Sequence, residues 1–132
     1  MEKVRTMSEL SNIQINEPVR LDPDRLGTLY FKLGESGADN VICRAMEELA
    51  VRLNDMPKMK REGDLPRLAK TARSLVGIAD QIGMSSLARV AGDVARCANN
   101  NDHAALGATL ARLQRIGDRS LSAIWDMQDM SV

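Results

Sequence analysis

Aromatic side chains are nearly missing from this sequence. Tyr30, Phe31 and Trp125 are the whole set, 2% of 132 residues. A core without rings has to be filled by Leu, Ala, Val, Ile and several of the eight methionines, a mixture that favours helices over strands. Cysteine is scarce as well. Cys43 and Cys97 have no metal-ligand spacing around them, and the single histidine, His103, cannot complete a zinc set, so no metal site is expected. Both cysteines read as reduced thiols in or near the core. Net charge is absent: 18 basic residues balance 18 acidic ones, which argues against a dedicated nucleic-acid binder, because neutralising phosphates requires a basic excess. No stretch approaches the roughly 18 apolar residues of a membrane span. The opening MEKVRTMSEL lacks the apolar segment of a signal peptide. A soluble, cytoplasmic protein without membrane contact is therefore expected. There is no glycine-rich phosphate loop, and Glu47, Glu48, Asp80 and Asp93 form no pair suited to acid–base work, so no cofactor is implied.

What is present is helical periodicity. Residues 1–20 are mostly polar and without period, and read as a flexible arm. Residues 21–132 read as one domain. Leu21-Asp22-Pro23-Asp24 is a helix-start signal. A short helix with Leu26, Leu29, Tyr30 and Leu33 on its apolar side is expected to end at Gly34, with Glu35-Ser36-Gly37 as connector. A second helix runs from Ala38 or Asp39 toward Arg61 with Ile42, Ala45, Leu49, Leu53 and Met56 inward. Pro57 predicts a kink or an early end there. Ser85 or Ser86 is placed to cap a helix with Leu87, Val90, Val94 and Cys97 as its stripe. After Asn99-Asn100-Asn101, Asp102 caps a last helix carrying Leu106, Leu110, Leu113, Ile116 or Gly117, Leu121 and Ile124, with Trp125 placed to cover the open end. Short connections make successive helices antiparallel neighbours. The fold expected is all-α: an up-and-down antiparallel four-helix bundle with a short N-terminal lid helix.

The best-patterned stretch is Asp64–Gly83, DLPRLAKTARSLVGIADQIG. Leu65, Leu68, Ala72, Leu75, Ala79 and Ile82 recur at three- and four-residue steps, which at about 100° per residue places them on one side. Lys70, Arg73, Gly77 and Asp80 point the other way. A mid-helix glycine costs about 1 kcal/mol relative to alanine, and close approach of another molecule is one reason to accept it.

Ala72-Arg73-Ser74-Leu75-Val76-Gly77-Ile78-Ala79-Asp80-Gln81-Ile82-Gly83 resembles the central-helix pattern Ala-His-x-Leu-Lys-Gly-x-Ala-x-x-Leu-Gly of histidine phosphotransfer (HPt) domains. The alanines, Leu75, Gly77, Ile82 and Gly83 are in register, as is the turn Glu62-Gly63-Asp64-Leu65, and the likeness extends over about residues 21 to 128. It departs where the family does its chemistry. Arg73 occupies the phospho-histidine position and Val76 the family lysine position. Phosphotransfer needs an imidazole nitrogen with a free lone pair. A guanidinium stays protonated and has none. The resemblance thus implies a degenerate member, a pseudo-HPt protein that is not an enzyme and is not phosphorylated at this position. It implies a receiver domain of a response regulator or hybrid kinase as partner, with a histidine kinase as a further one. The docking face it implies is Ala69, Lys70, Arg73, Val76, Gly77, Asp80 and Met84, together with the adjoining side of the second helix. Lys70 and Arg73, with Arg67 farther round, would pair with a receiver's acidic pocket. Two other readings stand beside it. One is an adaptor or self-associating bundle with an unrelated partner, as either monomer or dimer. The other is phosphotransfer through a non-standard residue such as His103.

Overall fold

A computed structural model describes residues 19–130, with side chains through Met127. Most of the arm expected over 1–20 lies outside these residues. Val19 and Arg20, though, belong to the folded part: Val19 packs on the core, and the Arg20 backbone is bonded to Ser86. The described residues form four α-helices and no strand: α1 Pro23–Arg61, α2 Leu65–Gln81, α3 Ser85–Asn99 and α4 His103–Met130. Each packs on the next in sequence, and α1 closes the ring against α4. No described helix is long and apolar enough to cross a membrane.

The three turns are built alike. Gly63, Gly83 and Asn101 take positive φ (72°, 75° and 54°). The residue after each donates its N–H to a carbonyl five positions back: Asp64 to Met59, Met84 to Ala79, Asp102 to Cys97. This Schellman closure satisfies the end carbonyls of one helix and reverses the chain within two residues. Side-chain caps then start the next helix. Asp64 Oδ1 accepts from the N–H of Arg67 (3.3 Å) and Asp102 Oδ1 from that of Ala105 (3.1 Å). Asp22 does the same for α1, accepting from Asp24 and Arg25 ahead of Pro23. Replacing such a cap with alanine costs about 1 kcal/mol.

The α2–α3 turn departs from the expectation. Neither Ser85 nor Ser86 caps α3; Met84 holds the cap position without a side-chain bond. Its side chain is fully buried, and the two serines are engaged elsewhere. Ser86 Oγ accepts the Arg20 N–H (2.8 Å) and the Ser85 hydroxyl donates to the Arg20 carbonyl (3.1 Å). Asp22 N–H donates to the Gly83 carbonyl at 2.6 Å. The segment entering α1 is thus strapped to this turn by its own backbone.

Two further corrections concern α1. The expected connector over 35–37 is helical, and Gly34 alone leaves helical geometry, with φ 73° and ψ 173°. Leu33 is correspondingly exposed instead of joining the apolar side with buried Leu26. Pro57, in turn, does not end the helix, which continues to Arg61. A proline has no N–H to give the carbonyl four residues back, here Leu53. Gln114 of α4 replaces that donor, its Nε2 lying 2.7 Å from the Leu53 oxygen. Gly117, one turn on, allows the approach: a Cβ there would stand 2.6 Å from Leu53 Cδ1.

The core is aliphatic as the composition requires. Ile42, Leu49, Met56, Leu68, Leu75, Ile82, Leu87, Leu106, Leu113, Ile116 and Ile124 are all fully buried. Cys97 is half-buried, but Cys43 is exposed, contrary to the core placement expected of it. Ser120 is a buried exception, its hydroxyl sealed within α4 without a partner among the described residues. Burying a hydroxyl unbonded costs free energy, and alanine is the better helix former. Ser120→Ala is therefore expected to stabilise the chain by about 1 kcal/mol, read as a higher urea midpoint at unchanged slope.

Candidate functional site

The apolar stripe of α2 is buried as the sequence predicts, with Leu65, Leu68, Ala72, Leu75 and Ala79 all in the core. Lys70, Arg73, Gly77 and Asp80 are exposed on the outer face, one turn after another. Val76 is half-buried against the core. Ala69 and Met84 do not belong to this face. Ala69 is 1% exposed and Met84 0%. With α1 and α3 both packed on α2, the buried sector is wider than the leading stripe and takes in Ala69 beside Leu68. Met84 sits in the turn with its side chain directed inward.

Gly77, like Gly27 of α1, is an exposed helical glycine that the fold itself does not require. Its φ is not positive, and a Cβ built on it would meet nothing within 4 Å. Neither backbone geometry nor internal packing requires glycine at this point. The space outside it is open.

Toward α1 the face continues into a groove. Arg67, Lys70 and Ser74 of α2 and Val51, Arg52 and Asp55 of α1 line a hollow of about 480 Å³. Arg52 is fixed there: its Nε donates to Ser74 Oγ (2.9 Å) and one terminal nitrogen to the Glu48 carbonyl (3.1 Å). Arg52 and Val51, the latter 60% exposed beside it, lie on the expected adjoining side of the second helix, but neither the α2 periodicity nor the motif marks them individually. A signal existed in the hairpin, since Arg52 and Ser74 stand at equal sequence distance from Gly63 and an antiparallel pair brings such positions together. Arg67, Lys70 and Arg73 make no ion pair with a described residue; the Arg96–Asp93 pair is on α3. The face therefore offers several uncommitted cationic donors around an open glycine, suited to an anionic or acidic surface. Arg73 supplies charge and N–H groups but no nucleophilic lone pair.

The other singled-out residues lie elsewhere. His103 is exposed at the start of α4, at the bundle end that carries the Gly63 turn, where Lys60 reaches to 3.8 Å from the Cβ position of Gly107. It does not join the α2 face. Trp125 does not cover the bundle end; it is 57% exposed and lines a hollow between α1 and α4 with Cys43, Met46 and Leu121. The chain matches no protein-family model, no curated protein and no solved structure.

Proposed function

We propose that this chain is an HPt-like protein of two-component phosphorelay signalling that docks receiver domains without accepting phosphate. It would act in the cytoplasm as a competitor or modulator of a true phosphotransfer protein, and a histidine kinase is a second possible client. The exposed, unobstructed Gly77 carries the reading by its place: of the two helical glycines with open space outside them, Gly27 and Gly77, it is the one in register with the motif and flanked by Arg73 and Asp80, where clearance for a docked domain accounts for it. The register of the motif around it and the uncommitted cations at Lys70 and Arg73 support the same face. The kinked arm over 23–33 then corresponds to the family's lid. Arg73 in place of the histidine removes the transfer step.

Calorimetric titration with receiver domains of the source organism tests this reading. Gly77→Ala should stabilise the fold by about 1 kcal/mol and leave binding nearly intact. Gly77→Trp should fold and yet weaken binding more than tenfold, and Arg73→Glu should do likewise. Tight binding that ignores both changes would remove the face from consideration, and no binding to any receiver would remove the function.

A second reading, an adaptor or self-associating bundle, is favoured by one observation. The large exposed apolar side chains include Phe31, 92% exposed, and Trp125, and neither lies on the Gly77 face.

A further inference from the structure

Between Pro23 and Arg61 a single residue, Gly34, interrupts the helix. Its combination of positive φ with ψ near 180° is open to glycine and essentially closed to residues with a side chain. Several contacts exist only because the chain bends there. Tyr30 donates its hydroxyl to Asp39 Oδ1 at 2.7 Å. In an unbroken helix those two residues would be about 13 Å apart along the axis and on opposite sides. The corner is also tight: a Cβ on Gly37 would lie 3.1 Å from Leu33 Cβ. Beyond the corner, the arm's start is seated on the α2–α3 turn by the Asp22–Gly83 and Arg20–Ser86 backbone bonds, and Leu26 is buried.

We propose that Gly34 is the hinge of a reciprocal arm exchange between two copies of this chain. When Gly34 takes helical angles, residues 23–61 become one continuous helix and the arm leaves its own bundle. The seat it vacates is shaped for this segment, with backbone bonds to residues 20 and 22 and a pocket for Leu26. A second copy's arm therefore fits it better than any other occupant. Exchange remakes every arm contact across the two copies and alters the conformation of one residue. Short, conformationally demanding hinges are the usual setting for such swapping. The closed monomer prevails at low concentration because it needs no partner, and because glycine tolerates the kink while weakening the straight helix.

The hinge is tested by asking which chain the arm touches. In a Cys43→Ser, Cys97→Ala background, Arg20→Cys and Ser85→Cys are joined with a short bis-maleimide reagent and run on denaturing gels. With Gly34 intact and the protein dilute, the product should be intrachain. Gly34→Ala penalises the kink and favours the straight helix, and should shift the closed-to-exchanged ratio about a hundredfold. That variant should be a dimer by light scattering, with interchain crosslinks. Inserting two glycines between positions 34 and 35 of the same variant should restore the monomer. A Gly34→Ala chain that stays monomeric, or a dimer whose crosslinks remain intrachain or survive the insertion, would overturn the proposal. The unaltered hinge at millimolar concentration gives a measurement independent of that variant's folding. Interchain product should accumulate there on standing, and only intrachain product would count against exchange.

Discussion

Gly83→Ala is expected to lower stability by about 3 kcal/mol, and the melting temperature by roughly 10 °C. Two terms add. The first is the backbone: φ is +75°, and an L-residue there costs about 1–2 kcal/mol. The second is contact. The added methyl would stand 2.8 Å from the Asp22 carbonyl oxygen, a backbone atom that cannot swing away. Relief requires the 20–22 segment to lift, which breaks the Asp22 N–H bond to Gly83 and strains the Arg20–Ser86 bond, about 1 kcal/mol each at most. Gly63→Ala is the internal control. Its φ is +72°, nearly the same, but a Cβ there meets nothing within 4 Å. It should show the backbone term alone. The difference between the two midpoints, measured by denaturant unfolding, reports what the strap over the α2–α3 turn contributes. Equal losses would mean that the strap contributes nothing.

Gln114→Leu is expected to cost about 2 kcal/mol, and most of that cost should vanish when Pro57 is also replaced by alanine. Both changes act on one oxygen. Pro57 deprives the Leu53 carbonyl of its helical donor, and Gln114 Nε2 supplies a substitute at 2.7 Å. Leucine at 114 keeps the volume and removes the donor, leaving a carbonyl in the α1–α4 seam without a partner. Alanine at 57 brings back the N–H four residues on, so Gln114 becomes dispensable. A double-mutant cycle should give a coupling above 1 kcal/mol. Additive effects would show that the side chain bond carries no part in tolerating the proline.

These two cases mark where sequence reading succeeds and where it stops. The α2 stripe from Leu65 to Ile82 is legible because burial on one side imposes a 3.6-residue period. Asp22, Asp64 and Asp102 are legible because capping is local. Pro57 is not, because its remedy lies 61 residues from Leu53. Gly34 is legible as a helix stop, but the three-residue connector expected after it over 35–37 is not there, since glycine announces a break but not its length; one residue suffices when it alone absorbs the bend. At the candidate site, the exposed set Lys70, Arg73, Gly77 and Asp80 follows from periodicity. Ala69 and Met84 follow only from motif register, which carries no information about how wide a sector the flanking helices cover. Arg52 enters through tertiary pairing with Ser74, and only the hairpin as a whole brings them together.

The exposure of Trp125 has an optical consequence. It is the only tryptophan in the chain, and its indole already meets water beside Cys43 and Leu121. Unfolding should therefore shift its emission to the red by less than it would shift a buried indole, so intrinsic fluorescence will be a weak reporter of loss of the core. The same insensitivity makes the indole a clean lamp for its own surroundings, and a blue shift in the folded protein would signal that the α1–α4 hollow has been covered.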